Sequence, residues 1–194
     1  MSTASVISRP GAVLADLLPA SRTKDIALVV GGAALTGIAA QIAVPVPGSP
    51  VPVSGQTFAA LLVGTALGAR RGFLSLALYA VVGMAGMPWF AQGASGYAMP
   101  SFGYILGMVL AATAVGALAR RGADRSVLRT AGAMAAGSVI IYAVGVPYLA
   151  LATGMTLSQA VAAGLTPFLI GDALKAALAM GALPTAWKLI DRRG

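Results

Sequence analysis

Thr166-Pro167-Phe168-Leu169-Ile170-Gly171-Asp172-Ala173-Leu174-Lys175-Ala176-Ala177-Leu178-Ala179-Met180 reads as an apolar helix interrupted by one acid and one base. Thr166-Pro167 supplies a cap and a first turn, and the apolar run continues to about Trp187. About 20 such residues cross a hydrocarbon core about 30 Å thick. A charge at that depth costs roughly 2.5–3.5 kcal/mol on insertion scales and marks a functional site. At helical spacing Asp172 and Lys175 share a face. They lie about 7–8 Å and about 12 Å below the helix start at 1.5 Å per residue. The pair reads either as a structural ion pair or as an anchor for an anionic ligand group. In the second case Asp172 accepts ligand N–H donors or holds Lys175 in place.

All other charges sit in four short stretches, 9–25, 70–71, 120–129 and 188–193. The apolar segments between them predict an all-α integral membrane fold with six spans, near 26–44, 54–68, 73–87, 101–119, 130–152 and 167–187. Residues 26–190 form one membrane domain. Residues 1–25 are a cytoplasmic lead-in with a short amphipathic helix around Val13–Leu18. Of the 194 residues 58% are hydrophobic and 9% charged, with mean hydropathy +0.88. A soluble domain carries about 25% charged residues, so that class is excluded. Of 13 basic residues, all but Lys175 fall on one face of a six-span arrangement. The opposite connections, 45–53, 88–100 and 153–165, carry no charge. Positive-inside bias therefore puts both termini in the cytoplasm of a multi-pass plasma-membrane protein. It also explains the basic pI without nucleic acid. Pro45, Pro47, Pro50 and Pro52 cannot continue the first helix, Trp89–Pro100 reads as a loop, and Thr153–Leu165 holds a short helix.

The chain has no Cys, no His and no Glu. Structural zinc sites, thiol nucleophiles and histidine triads are excluded. No metal or cofactor is expected, and no enzymatic role. There is no Gly-x-x-x-x-Gly-Lys-Ser/Thr loop either, so any ATP-driven step comes from a partner.

Uncharged polar and aromatic residues occupy the same level as the charged pair. Ser54, Gln56 and Thr57 open the second span, Trp89, Gln92, Ser95 and Tyr97 lie in the loop after the third, Ser101 and Tyr104 open the fourth, and Tyr148 ends the fifth. A buried amide needs partners, which singles out Gln56 and Gln92. The aromatic residues also read as an interfacial belt. The candidate binding set is Asp172, Lys175, Gln56, Trp89, Gln92 and Tyr104. It suits a small ligand with one carboxylate and amide-like groups. It suits a channel poorly, since no ring of like charge is present. Small residues recur at four-residue spacing in the first span, Gly32/Thr36/Ala40 and Ala33/Gly37. They pack the bundle or offer a smooth face to another membrane subunit.

Val51-Pro52-Val53-Ser54-Gly55-Gln56-Thr57-Phe58 and Leu67-Gly68-Ala69-Arg70-Arg71-Gly72-Phe73-Leu74-Ser75 resemble the biotin-specific S component of energy-coupling factor transporters, the BioY family. So do Gly86-Met87-Pro88-Trp89-Phe90-Ala91-Gln92-Gly93, Gly103-Tyr104-Ile105-Leu106-Gly107 and Pro167–Lys175, in family order across about 50–180. The resemblance implies a six-helix S-component fold that captures biotin from outside, with a transmembrane T component and ABC-type ATPases as partners. It implies that Asp172 and Lys175 belong to the biotin site and that Trp89–Gly96 covers it. It further implies that Gly32, Ala33, Thr36, Gly37 and Ala40 face the T component. The chain departs from the family pattern at Met99-Pro100-Ser101-Phe102-Gly103-Tyr104 and at Trp89, both near the pocket. The rival readings are an S component for another vitamin and a proton-coupled secondary transporter of a small carboxylate, with Asp172 as carrier.

Overall fold

Ser21 stands in extended conformation and its hydroxyl accepts from the Lys24 amide, a cap that starts the first helix a turn before the apolar run. The computed structural model describes residues 11–191; Arg9, Arg192 and Arg193 of the expected basic face lie outside them. Helix α1 is Arg22–Ala40. It ends four residues earlier than expected because Ala43–Val44 (β1) pairs antiparallel with Val53–Ser54 (β2). The four prolines between and beside these strands lack the donor a helix needs, and the segment closes as a hairpin. Where the amphipathic helix is expected, around Val13–Leu18, the chain forms a 3-10 turn, Leu14–Leu17.

Helices α2 (Gln56–Leu67) and α3 (Ala69–Met84) are separated by one residue, Gly68. Its φ of 82° is open to glycine and strained for other residues. Arg70 and Arg71 therefore sit in the first turn of α3 and do not trail the second span. After the 3-10 turn Ala91–Gly93 come α4 (Phe102–Arg120) and α5 (Val127–Thr153). Helix α6 (Leu157–Gly164) opens with a capping box made by Thr156 and Gln159. Helix α7 (Leu169–Asp191) follows the 3-10 turn Thr166–Phe168. The expected Thr166 cap is not formed: its hydroxyl donates back to the Val161 carbonyl at 3.3 Å.

Helix α4 runs through the middle, packed by α2, α3 and α5, whereas α7 leans on α5 and touches α2 only narrowly. In the α4 span window 67% of residues are buried, against 11% for Leu157–Ile190. The contacts of α4 depend on missing side chains. A Cβ on Gly64 would overlap the Ala112 carbonyl, so α2 and α4 meet backbone to backbone, the close approach small residues permit in membranes. Among the described residues four stretches are long and apolar enough to cross a membrane: α1, α4, α5 and Leu157–Ile190. Helix α2 is apolar but has 12 residues. Large apolar side chains on the outside, among them Ile26, Ile38, Leu151 and Ile170, form the surface a bilayer covers.

The basic stretches meet at one end. Arg71 donates to Asp16 and to Asp25, both at 2.9 Å. Arg120 donates to the Gly11 carbonyl at 3.0 Å and Arg125 to that of Ala12 at 3.3 Å. Burial alone would raise the Asp16 carboxyl, but the bonds from Arg71 and the Val13 amide, with the charges of Arg120 and Arg71, hold it below its ordinary value. At the same end Arg125 lies 4.2 Å over the Trp187 ring, and the Trp187 indole N–H donates to Asp124 at 2.6 Å. Burial pushes the Asp124 carboxyl up, against the bond from Trp187 and the charge of Arg125.

Candidate functional site

The uncharged end holds a small cavity roofed by the β-hairpin and walled by α2, α4, α5 and the start of α7. Gln56, Thr57, Tyr104, Tyr142, Phe168, Asp172 and Lys175 line it, with Val51, Pro52 and Ser54 above. Met134, Ser138 and Ile141 of α5 complete the wall. Its volume of about 40 Å³ accommodates a few waters.

The charges converge on one node. Lys175 Nζ donates to Thr57 Oγ1 at 2.8 Å and to Asp172 Oδ1 at 3.1 Å. The side chains of Lys175 and Asp172 are 19% and 17% exposed. The Tyr142 hydroxyl donates to Asp172 Oδ2. An ammonium has three donors and a carboxylate about four acceptor positions. Two donors and two acceptor positions are engaged, so Lys175 keeps one N–H and Asp172 keeps lone pairs. The node binds α2, α5 and α7 together, and it retains capacity for a ligand carrying both an anionic group and N–H donors.

Gln56 is 5% exposed, and its Oε1 accepts from the Tyr79 hydroxyl at 2.8 Å. That bond fixes the amide and leaves its NH₂ as a donor at the cavity wall. The Tyr104 ring lines the cavity while its hydroxyl donates to the Gly164 carbonyl at 2.7 Å, closing the end of α6 over the site. Four of the six expected residues, Asp172, Lys175, Gln56 and Tyr104, are therefore brought together.

Trp89 and Gln92 are not among the lining residues. Trp89 packs on Tyr79, ring centroids 5.2 Å apart, and its indole N–H donates to the Tyr79 carbonyl at 3.0 Å. Gln41 fastens the same loop by donating to the Trp89 carbonyl at 3.0 Å. Phe90 is buried against Gly83, where a Cβ would overlap its ring. Trp89 and Phe90 are thus held against α1 and α3. Gln92 is exposed on a left-handed turn, φ 61°. The stripe Gly32, Ala33, Thr36, Gly37 and Ala40 is buried inside the bundle. Gly32 meets Ser75 and Val63, and Gly37 meets the Trp89 ring, so the stripe is not a free face for a partner.

Sequence reasoning missed Tyr142. The available signal was a tyrosine inside an apolar span, whose hydroxyl needs a buried partner, and Asp172 is the acid at matching depth. Nothing in the apolar residues Met134, Ile141 and Phe168 distinguishes lining from core.

The family model described as the BioY family matches residues 11–192. A probable biotin transporter BioY of Pyrococcus horikoshii is 35% identical over 162 residues, covering 82% of this chain and 93% of that protein. The biotin transporter BioY of Thermotoga maritima is 34% identical over 149 residues, covering 75% and 85%. In structure, the chain is similar to the S-component for biotin from an ECF-type ABC transporter, with TM-score 0.77 at 19% identity, covering 88% of this chain and 95% of that one.

Proposed function

The chain belongs to the BioY family, and we propose that it captures biotin from outside the cell as the substrate-binding subunit of an energy-coupling factor transporter. The observation that carries this reading is the Lys175–Asp172–Thr57–Tyr142 node at the wall of an otherwise apolar cavity. Biotin has one carboxylate, a ureido group with N–H donors and a carbonyl, and an apolar bicycle with a tail. Lys175 pairs its remaining N–H with the carboxylate. Asp172 holds Lys175 and accepts from the ligand, and the Gln56 amide donates to a carbonyl. Tyr104, Phe168 and Met134 cover apolar surface.

Entry of the ligand is through the most loosely packed walls of this cavity. Helix α7, mostly exposed, and the two-residue strands of the hairpin make the fewest contacts to break. We further propose that α1–α5 and α7 all cross the membrane, with both termini on the cytoplasmic, basic side. A transmembrane T component and ABC-type ATPases supply the ATP-driven step.

Small-molecule mass spectrometry of the purified protein, with titration of biotin, thiamine and riboflavin, tests the assignment. Biotin is expected to copurify or to bind far more tightly than the others. Tighter binding of thiamine or riboflavin would reassign the vitamin.

A further inference from the structure

A second cavity, about 790 Å³, lies on the outside of the bundle between α1 and α3, remote from the biotin-type site. Its head is at the basic end and is lined by Arg22, Arg70, Arg71, Arg120 and one acid, Asp25. Arg71 is tied to Asp16 and Asp25, and Arg120 to Asp16. Arg22 and Arg70 are exposed and form no ion pair among the described residues. Below this head the walls are wholly apolar: Ile26, Val29 and Val30 from α1, and Leu74, Ala77, Leu78 and Val81 from α3. From Arg70 to Val81 the trough descends about 16 Å at 1.5 Å per residue, roughly half of a 30 Å hydrocarbon core.

We propose that this groove binds an anionic phospholipid of the cytoplasmic leaflet. Arg22 and Arg70 engage the headgroup phosphate and an acyl chain lies along the trough. Three observations on the groove agree. Its head has an excess of positive charge, with two arginines left for an anion. Its apolar floor extends for one leaflet. Its charged end is the basic end of the protein, which positive-inside bias places at the cytoplasmic leaflet, where anionic lipids gather and basic pockets between helices recognise their headgroups. A soluble anion has no use for the floor, and a neutral lipid has none for the free arginines.

Native mass spectrometry of the full chain, in detergent with phosphatidylglycerol or with phosphatidylcholine of the same acyl chains, tests this without reference to biotin. Phosphatidylglycerol is expected to stay bound under conditions that strip phosphatidylcholine. Its occupancy is expected to fall about fivefold for each arginine removed in Arg22→Gln and Arg70→Gln. Leu78→Trp, which fills the trough, is expected to displace it while leaving the arginines in place; this variant also carries the test if the arginine variants do not fold. Equal retention of the two lipids, or unchanged phosphatidylglycerol occupancy in all three variants, overturns the proposal. Glycerol phosphate binding as well as the lipid overturns it in favour of a soluble anion. No lipid adduct, with stabilisation only on adding a partner subunit, overturns it in favour of a protein helix.

Discussion

Lys175 illustrates how one side chain can be both part of the scaffold and available for binding. Two of its three donors hold Thr57 and Asp172, which compensates for burying the charge, and the third is left for a ligand. Lys175→Ala removes the ammonium and leaves Asp172 with Tyr142 alone. A charged hydrogen bond contributes about 1.5–3 kcal/mol, so biotin affinity measured by calorimetry is expected to fall about 10- to 100-fold. Asp172→Asn is expected to weaken binding as well, through a misplaced Lys175; unchanged affinity would remove Asp172 from the site. Tyr142→Phe separates positioning from contact. It deletes the donor to Asp172 and leaves the Lys175 ammonium in place, and the expected loss through positioning alone is about fivefold, equivalent to about 1 kcal/mol. A loss as large as that of Lys175→Ala would mean that Tyr142 itself touches the ligand.

At the scale of elements, close approach and corner bonds decide how helices meet. Gly64 lets α2 lie on the Ala112 backbone of α4. Gly64→Ala forces the two apart at the centre of the bundle, and overpacking of this kind costs about 1–3 kcal/mol. A lower midpoint of thermal unfolding in detergent is expected; an unchanged midpoint would show that α2 is free to shift. The corner where the α4–α5 connection meets the end of α7 behaves differently. Asp124 is fully buried, and only one of its oxygens has a partner, Trp187. A carboxyl whose folded-state pKa is raised favours folding below its unfolded value and loses that contribution as pH rises through the raised value. The folded state is therefore penalised at neutral pH. Asp124→Asn keeps an acceptor for Trp187 without the charge. It is expected to match or exceed the parent in thermal stability at neutral pH, with the gap closing as pH falls into the carboxylate range. A gap that widens on acidification would contradict this origin. Asp16 responds in the opposite sense: its lowered pKa means its ion pairs stabilise the fold above the ordinary carboxylate range and are lost as pH falls below it.

Across the whole molecule, charge and packing run along one axis. Residues 11–16 gather Arg71, Arg120 and Arg125 at one end, while the hairpin, the 85–100 connection and α6 carry no charge and form the other. Because the chain has no cysteine, single cysteines report sidedness without background. Tyr97→Cys and Ser158→Cys are expected to react with a membrane-impermeant maleimide on intact cells. Arg121→Cys and Lys188→Cys are expected to react only after permeabilisation. The reverse pattern would invert the proposed topology and place the site on the inner face.

The sequence by itself determined the all-α membrane class of the fold and the two charges in its last long helix. These follow from local quantities: apolar run length, the position of basic residues and the missing donors of proline. It also pointed to Gln56 and Tyr104, since polar groups in apolar helices must find partners. Tertiary structure alone decided which polar residues meet. Trp89 and Gln92 share a depth with the site, yet Gln41 and Tyr79 hold Trp89 against α1 and α3. The small residues of α1 read equally well as a partner's surface or as packing, and burial against Ser75, Val63 and Trp89 assigns them to packing. Tyr142 joins the site because α5 packs on α7 in the register that brings its hydroxyl to Asp172. Periodicity specifies which face of a helix is apolar; which neighbour that face meets depends on side-chain volumes across the whole bundle.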